Sequence, residues 1–391
     1  MKVNEKKGLI CVQGGVQFIA GYIAYRWCEE KIWFGKSKIT LLIYDTCVPT
    51  EIEVLFQNTI KEIANIVNIH KIIFINEIDS NRISKNYYAK SISKFKCIIG
   101  EENFDYLFLA LDYGTFLSKL IPNAYPKSLK IEYGDSFGLV GNKKNIAFSL
   151  LQIFRTPVIY LKVVLKKIVY RQYHKSFPFE LSVLTMPLVW DPKYLSNKKL
   201  VIPDMKFVKN IVSQISNKMI QLNNYCEQLI SNTNKCNVYL LSNFYNSGFC
   251  TFENEIRLYE QIILETALIG QRVILKNHPR ASNKMLNQLK ERLDKKFEVK
   301  LVTDNRYKSI PIELWGVIMD KCEVFPIYST SSISLKYLFS KSVVLTLDIE
   351  KINKYFYPDK REVLCDGVNM MNIAIKTLEK WDFDSPLWIK N

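Results

Sequence analysis

The chain has three histidines in 391 residues, and its nine cysteines are scattered along its length. Each shortage excludes something. The cysteines, at 11, 28, 47, 97, 226, 236, 250, 322 and 365, form no CxxC pair and stand at no Cys/His ligand spacing. That pattern excludes a structural zinc and predicts reduced thiols in place of a disulfide framework. No apolar run approaches the roughly eighteen residues of a membrane-spanning helix. No GxxxxGK[ST] occurs and no GxGxxG follows a strand-like run, so a P-loop hydrolase and the dinucleotide fingerprint are both set aside. No DxD triplet stands at a strand end, which argues against a metal-dependent sugar transferase. Signatures of nucleic-acid-binding modules are missing too, and nucleic acid is not an expected partner. The opening, MKVNEKKGLICVQGGVQF, is basic but lacks the apolar region and cleavage site of a signal peptide. A cytoplasmic protein is expected.

What is present describes a folded globular chain. Hydrophobic residues make up 48% and charged residues 24%, too apolar for disorder. The length predicts two domains. Lysine and arginine number 54 against 38 acids, a net charge of +16, which points to an acidic partner, and charge alone does not choose among nucleic acid, an anionic membrane surface and a negatively charged substrate.

Apolar runs alternate with helical patterns. Leu9-Val12, a helix over 17–34, Ile39-Tyr44, a helix over 51–66 and Lys71-Ile75 are followed by Tyr106-Leu111 and Leu129-Tyr133. The pattern resumes with Val238-Leu241, a helix over 253–269, Arg272-Lys276, a helix over 282–294, Val299-Leu301, Val324-Tyr328 and Val343-Leu347. Strands alternating with helices are βαβ units, so the expected class is α/β with two Rossmann-like domains facing a cleft. The breaks at Trp190-Asp191-Pro192 and Ile202-Pro203-Asp204 place the boundary near 200, giving domains 1–200 and 201–366, with a helix over 205–231 leading into the second. The tail 367–391 reads as a helix and then an aromatic stretch around Trp381 and Trp388, docking back on the first domain. Phe148-Leu165, running into the basic 166–175 segment with His174, suits either an interfacial helix on anionic lipid or a core helix with a solvated basic end.

Three motifs fall at strand ends, where open α/β sheets bind ligands. Glu132-Tyr133-Gly134-Asp135 follows the strand over 129–133; a carboxylate there suits a general base, or Asp135 and Ser136 cap the next helix. Lys276-Asn277-His278-Pro279-Arg280 follows the strand over 272–276 and presents an imidazole and a guanidinium to a phosphate. Ser329-Thr330-Ser331-Ser332 ends a strand and opens a helix, an anion cradle of hydroxyls and amide N–H groups. Between the last two, Glu313 is either a helix cap or a ligand to a ribose hydroxyl. Gly14-Gly15, after the first strand, lets a substrate approach the backbone.

This ordered set resembles the bacterial sialyltransferases and polysialyltransferases of glycosyltransferase families 52 and 38, with their acidic D/E-D/E-G, HP and S/T motifs. Val12-Gln13-Gly14-Gly15-Val16-Gln17-Phe18 is similar to their first strand and loop; 140–235 offers little to match. The resemblance implies a GT-B fold, with acceptor bound mainly by the first domain and a CMP-sugar mainly by the second. It implies inverting transfer of sialic acid, or a related nonulosonic acid, to a cell-surface glycan of the lipopolysaccharide, O-antigen or capsule type, with no metal and no cofactor. Glu132 would be the base, His278 with Pro279 and Arg280 would contact the CMP phosphate, and Ser329, Thr330, Ser331 and Ser332 would complete its cradle. Tyr133 departs from the family's second acid, which leaves Glu132 or Asp135 as the base. The competing expectations are a GT-B or teichoic-type transferase with another nucleotide-activated donor, and a non-catalytic polyanion- or lipid-binding protein. A location on the inner face of the bacterial inner membrane would suit the charge.

Overall fold

The computed structural model describes residues 5–33, 37–46, 50–101, 103–110, 115–134, 177–186, 200–233, 236–279, 281, 283–341 and 345–379. Asp135, Arg280, the basic segment over 148–175 and the aromatic tail lie outside the described residues. The chain divides into two compact units with the main boundary at Asp204/Met205; residues 50–59, the first part of the helix over 50–66, group with the second unit.

The first unit holds one parallel sheet: β1 (Lys6–Val12), β2 (Ser37–Tyr44), β3 (Lys71–Ile75), β4 (Tyr106–Leu109), β5 (Leu129–Glu132), β6 (Leu181–Val183) and β7 (Leu200–Val201), in the order β3-β2-β1-β4-β5-β6-β7. Helices α1 (Gly15–Cys28), α2 (Thr50–Ile66), α3 (Glu77–Ser84), α4 (Tyr88–Ile99) and α5 (Phe116–Ala124) connect the first five strands. Strands covered on both faces must be apolar throughout, and β1 and β2 each end in five or more consecutive buried residues. Local chemistry sets several helix ends. Asn76 caps α3, Thr115 caps α5, and Gly100, at φ 69, ends α4 in the left-handed conformation that glycine adopts without strain. Helix α1 lies close on the sheet because Gly21 has no side chain: a Cβ there would stand 2.9 Å from Ile10 and 3.2 Å from the Tyr133 ring.

In the second unit α6 (Met205–Lys218) and α7 (Ile220–Ile230) precede β8 (Cys236–Leu240), α8 (Phe252–Thr266), β9 (Arg272–Lys276), α9 (Asn283–Leu293), β10 (Glu298–Val302) and α10 (Asn305–Ser309). A 3-10 turn (Ile312–Leu314), α11 (Gly316–Lys321), β11 (Glu323–Pro326), α12 (Ser331–Phe339), α13 (Ile349–Tyr355) and α14 (Pro358–Glu379) complete it. Its sheet is parallel in the order β10-β9-β8-β11. One apolar core joins β8 and β9 to α8, α9 and α14, with Tyr239, Tyr259, Leu286 and Leu364 wholly buried.

Three expectations are corrected. The helix over 205–231 is two helices broken at Met219, where Asn223 Nδ2 donates to the Ser216 carbonyl at 3.0 Å and competes with the helical ladder. Val343-Leu347 yields no strand among its described residues; Leu345 and Leu347 are apolar because they pack on the core, without pairing. Cys236 and Cys322 form a disulfide, with Cα atoms 5.2 Å apart and 86 positions separating them in the chain, contrary to the expectation of reduced thiols throughout. The cause is sheet register: Asn237 pairs with Glu323, so the residues just before them are brought side by side. Sequence spacing carries no trace of that neighbourhood.

Candidate functional site

In the second unit the strand order reverses at β8, with β9 on one side and β11 on the other. Ligands bind beyond the carboxyl ends of strands at such a switch point. The segments that leave those ends are 241–251, 277–282 and 327–330, and backbone bonds tie them together: Leu241 N donates to Lys276 O at 2.9 Å and Ile327 N to Leu240 O at 3.2 Å.

His278 lies two residues past β9 and is half-buried. Asn277, 1% exposed, accepts the His278 N–H on its Oδ1 at 3.0 Å. Ala281 N donates to His278 O at 2.9 Å, closing a β-turn with Pro279 at the position where a fixed φ is favoured. Beneath the turn are two buried lysines. Lys276 Nζ donates to Lys308 O at 2.8 Å and stands 5.5 Å from the centre of the Trp315 ring; Lys308 Nζ donates to Ala281 O at 2.9 Å. Burial lowers the Lys276 pKa to about 8 against the attraction of Glu313, and lowers that of Lys308 as well. The turn that carries His278 is thus braced by two buried lysines.

The hydroxyl run divides by function. Ser329 Oγ accepts the Ser331 N–H at 3.2 Å just ahead of α12, and Ser329, Thr330 and Ser331 remain partly exposed at its N-terminus. Ser332 is 0% exposed; its hydroxyl donates to Ser329 O at 2.7 Å and faces Met371 Sδ, so it braces the turn from inside. Glu313 is also buried. Its Oε1 accepts the Ser334 hydroxyl and its Oε2 has no hydrogen-bond partner, an arrangement that ties the 3-10 turn to α12 and leaves one acceptor unused.

Sequence reasoning passed over the segment after β8. Ser242 donates from Oγ to Tyr328 O at 2.9 Å, linking the β8 end to the hydroxyl run, and its N–H donates to Tyr259 Oη at 3.1 Å. Glu255, buried on α8, accepts the N–H groups of Phe244 and Tyr245 at 2.8 and 2.9 Å and the Tyr259 hydroxyl at 2.7 Å. Burial raises the Glu255 pKa, countered by those three donors. The available signal was the Ser242-Asn243 pair just beyond an apolar strand; the locking role of Glu255 needs the fold.

In the first unit Glu132 is the last residue of β5 and 1% exposed. Its Oε2 accepts the Ser182 hydroxyl at 2.7 Å from β6, its register partner. Tyr133 stands where the resembling enzymes have a second acid; it is wholly buried and its hydroxyl donates to Cys11 O, a structural tie to β1. Gly134, at φ 73, then turns the chain in a conformation a side chain resists. Gly14 is extended and Gly15 begins α1 at the end of β1, next to the β1/β4 switch point; Gln13 N donates to Gln17 Oε1 at 2.7 Å across the turn. A further carboxylate went unnoticed in the sequence. Asp45, just past β2 at φ 44, accepts the Ser80 hydroxyl at 3.1 Å, and burial raises its pKa. Left-handed geometry at a non-glycine residue is costly and concentrates at functional positions. Among the described residues, no group of three or more His, Cys, Asp or Glu is placed to hold a metal, and no helix is long and apolar enough to cross a membrane.

Comparison with known proteins follows this geometry. The S. aureus MnaA–UDP co-structure matches with a TM-score of 0.50 at 12% identity, covering 96% of this chain and 88% of that one. UDP-GlcNAc 2-epimerase from Neisseria meningitidis bound to UDP-GlcNAc gives 0.49 at 10% identity, covering 96% and 100%. E. coli heptosyltransferase WaaC with ADP-2-deoxy-2-fluoro heptose gives 0.39 at 10% identity, covering 87% and 88%. No curated protein sequence matches the chain. The fold is α/β of the GT-B type, with two Rossmann-like units. Residues 57–347 match the model of the alpha-2,8-polysialyltransferase (POLYST) family. The match covers well over half of the chain and includes Glu132, His278, Glu313 and the hydroxyl run, and the chain belongs to that family, as a glycosyltransferase of the sialyltransferase type.

Proposed function

We propose that the protein is an inverting, metal-independent transferase that moves sialic acid, or a related nonulosonic acid, from a CMP-sugar to a hydroxyl of a cell-surface glycan. The observation that carries the reading is the placement of the His278 turn and the Ser329-Thr330-Ser331 helix start at the ends of β9 and β11, on either side of β8. A departing CMP carries its charge on phosphate. An imidazole N–H, hydroxyl donors and the α12 N-terminus would stabilise that charge as the glycosidic bond breaks. Glu313, which attracts Lys276, suits a ribose hydroxyl once its unused oxygen is uncovered. Glu132, in the first unit, would take the proton of the acceptor hydroxyl, with Ser182 orienting the carboxylate. Asp135 is the alternative base. The net charge of +16 suits an acidic donor, an acidic acceptor and the anionic face of the inner membrane.

Incubation with CMP-sialic acid, CDP-glycerol and a panel of UDP-sugars, measuring nucleotide release with and without chelator, tests this directly. CMP release that is chelator-resistant and stimulated by a sialylated acceptor is expected. Turnover confined to a UDP-sugar or to CDP-glycerol would assign the site to another donor.

A further inference from the structure

We propose that Lys308 is a positioning residue for His278: its side chain holds the backbone of the His278–Ala281 turn at Ala281, while its carbonyl takes the Lys276 ammonium group from the end of β9. The inference rests on the reading of His278 as a donor-phosphate contact. Lys308 sits on α10, beyond β10, the strand next to β9, and is 2% exposed. Its Nζ donates to Ala281 O at 2.9 Å, three residues after His278, and its own carbonyl accepts Lys276 Nζ at 2.8 Å, two residues before it. Between these anchors the Ala281 N–H closes on the His278 carbonyl at 2.9 Å and Asn277 Oδ1 holds the His278 N–H at 3.0 Å. The four bonds define the backbone on which the imidazole is mounted.

An apolar residue of similar length would fill the same space without the cost of burying an ammonium group. The chain instead carries two lysines in one layer, with Glu313 the acid that attracts Lys276. Such a layer does two things for a phosphate above it: it holds the donor of the hydrogen bond in place, and it keeps positive charge where solvent cannot screen it. Lys308 touches neither substrate nor reacting atoms in this scheme and acts through His278.

The test is a double-mutant cycle on the full-length protein. Lys308→Met removes the donor and keeps the volume; Lys308→Gln keeps a neutral N–H donor. With folding checked by circular dichroism, Lys308→Met is expected to weaken CMP binding by calorimetry and to lower kcat/KM roughly ten- to a hundredfold. Lys308→Gln should recover part of the loss. In a His278→Ala background Lys308→Met should add little, because the residue it positions is gone. A folded Lys308→Met enzyme that binds CMP and turns over like the wild type overturns the proposal, as do losses that simply multiply in the double variant. If neither variant folds, Lys308 serves the fold as a whole and the proposal fails. The underlying reading fails separately, if His278→Ala alone leaves CMP affinity and turnover unchanged.

Discussion

Replacing Lys276 by Met should make the protein more stable at neutral pH and less active. Its ammonium group is wholly buried, and burial brings its pKa from 10.5 to about 8 even with Glu313 attracting it. A shift of that size corresponds to about 3 kcal/mol of destabilisation when the group is charged. Below pH 8 the lysine is protonated in both folded and unfolded chains, and the penalty is present in full. Between pH 8 and 10.5 the folded chain releases the proton while the unfolded chain keeps it. Stability therefore rises with pH in that window, by up to about 1.4 kcal/mol per pH unit from this group. Methionine removes the charge but also the bond to Lys308 O, worth about 1 kcal/mol. The expected net gain at pH 7 is about 2 kcal/mol, shrinking toward zero or below by pH 10. Urea unfolding of both proteins at pH 7, 8.5 and 10 measures this directly. A variant that is several kcal/mol less stable at pH 7, with a difference that does not change with pH, would refute the reasoning and mark Lys276 as structurally required in its charged form. Activity should move the other way: losing the buried charge raises the KM for the donor, and the wild-type KM should climb as pH passes 8.

Other outcomes follow from the same geometry. His278→Ala and Glu132→Gln should each cost on the order of a hundredfold or more in kcat while leaving circular dichroism intact, as steady-state kinetics with CMP-sialic acid would show. Glu255→Gln should weaken the hold on the Phe244 and Tyr245 N–H groups, loosening the segment after β8 and raising donor KM more than it lowers kcat; hydrogen exchange at 242–250 reads the loosening. Gly367→Ala should destabilise by about 1–3 kcal/mol, because a Cβ there runs into the Tyr328 hydroxyl and ring. Thiol labelling of the denatured, unreduced protein should leave Cys236 and Cys322 unmodified until a reductant is added, owing to their disulfide; reducing it should lower stability by about 4 kcal/mol.

Most central strands of both sheets were legible as apolar runs, because a parallel strand covered on both faces must be apolar along its length. Lys71–Ile75 and Arg272–Lys276 match their expected bounds. The short strands Leu181–Val183 and Leu200–Val201, the last two of the first sheet, were not legible: two or three residues carry too little pattern, and their pairing is decided by the neighbouring strand. At the candidate site, Glu132, His278 and Ser329 stood out because strand ends followed by turn residues or hydroxyls announce themselves. Asp45 and Glu255 did not, since the first acts through a backbone conformation and the second through partners ten or more residues away.

Local order along the chain was enough to settle the α/β class and the family, because strand-end motifs and their succession are properties of sequence. Tertiary structure alone decided what each member faces. Ser332 turns inward to Met371 while Ser329 takes the Ser331 N–H at the helix start. Cys236 meets Cys322 across a parallel register. Lys308 reaches back over β9 to hold the turn that carries His278. These partners lie far apart in the chain, and only packing brings them within the distance at which a hydrogen bond or a covalent bond forms.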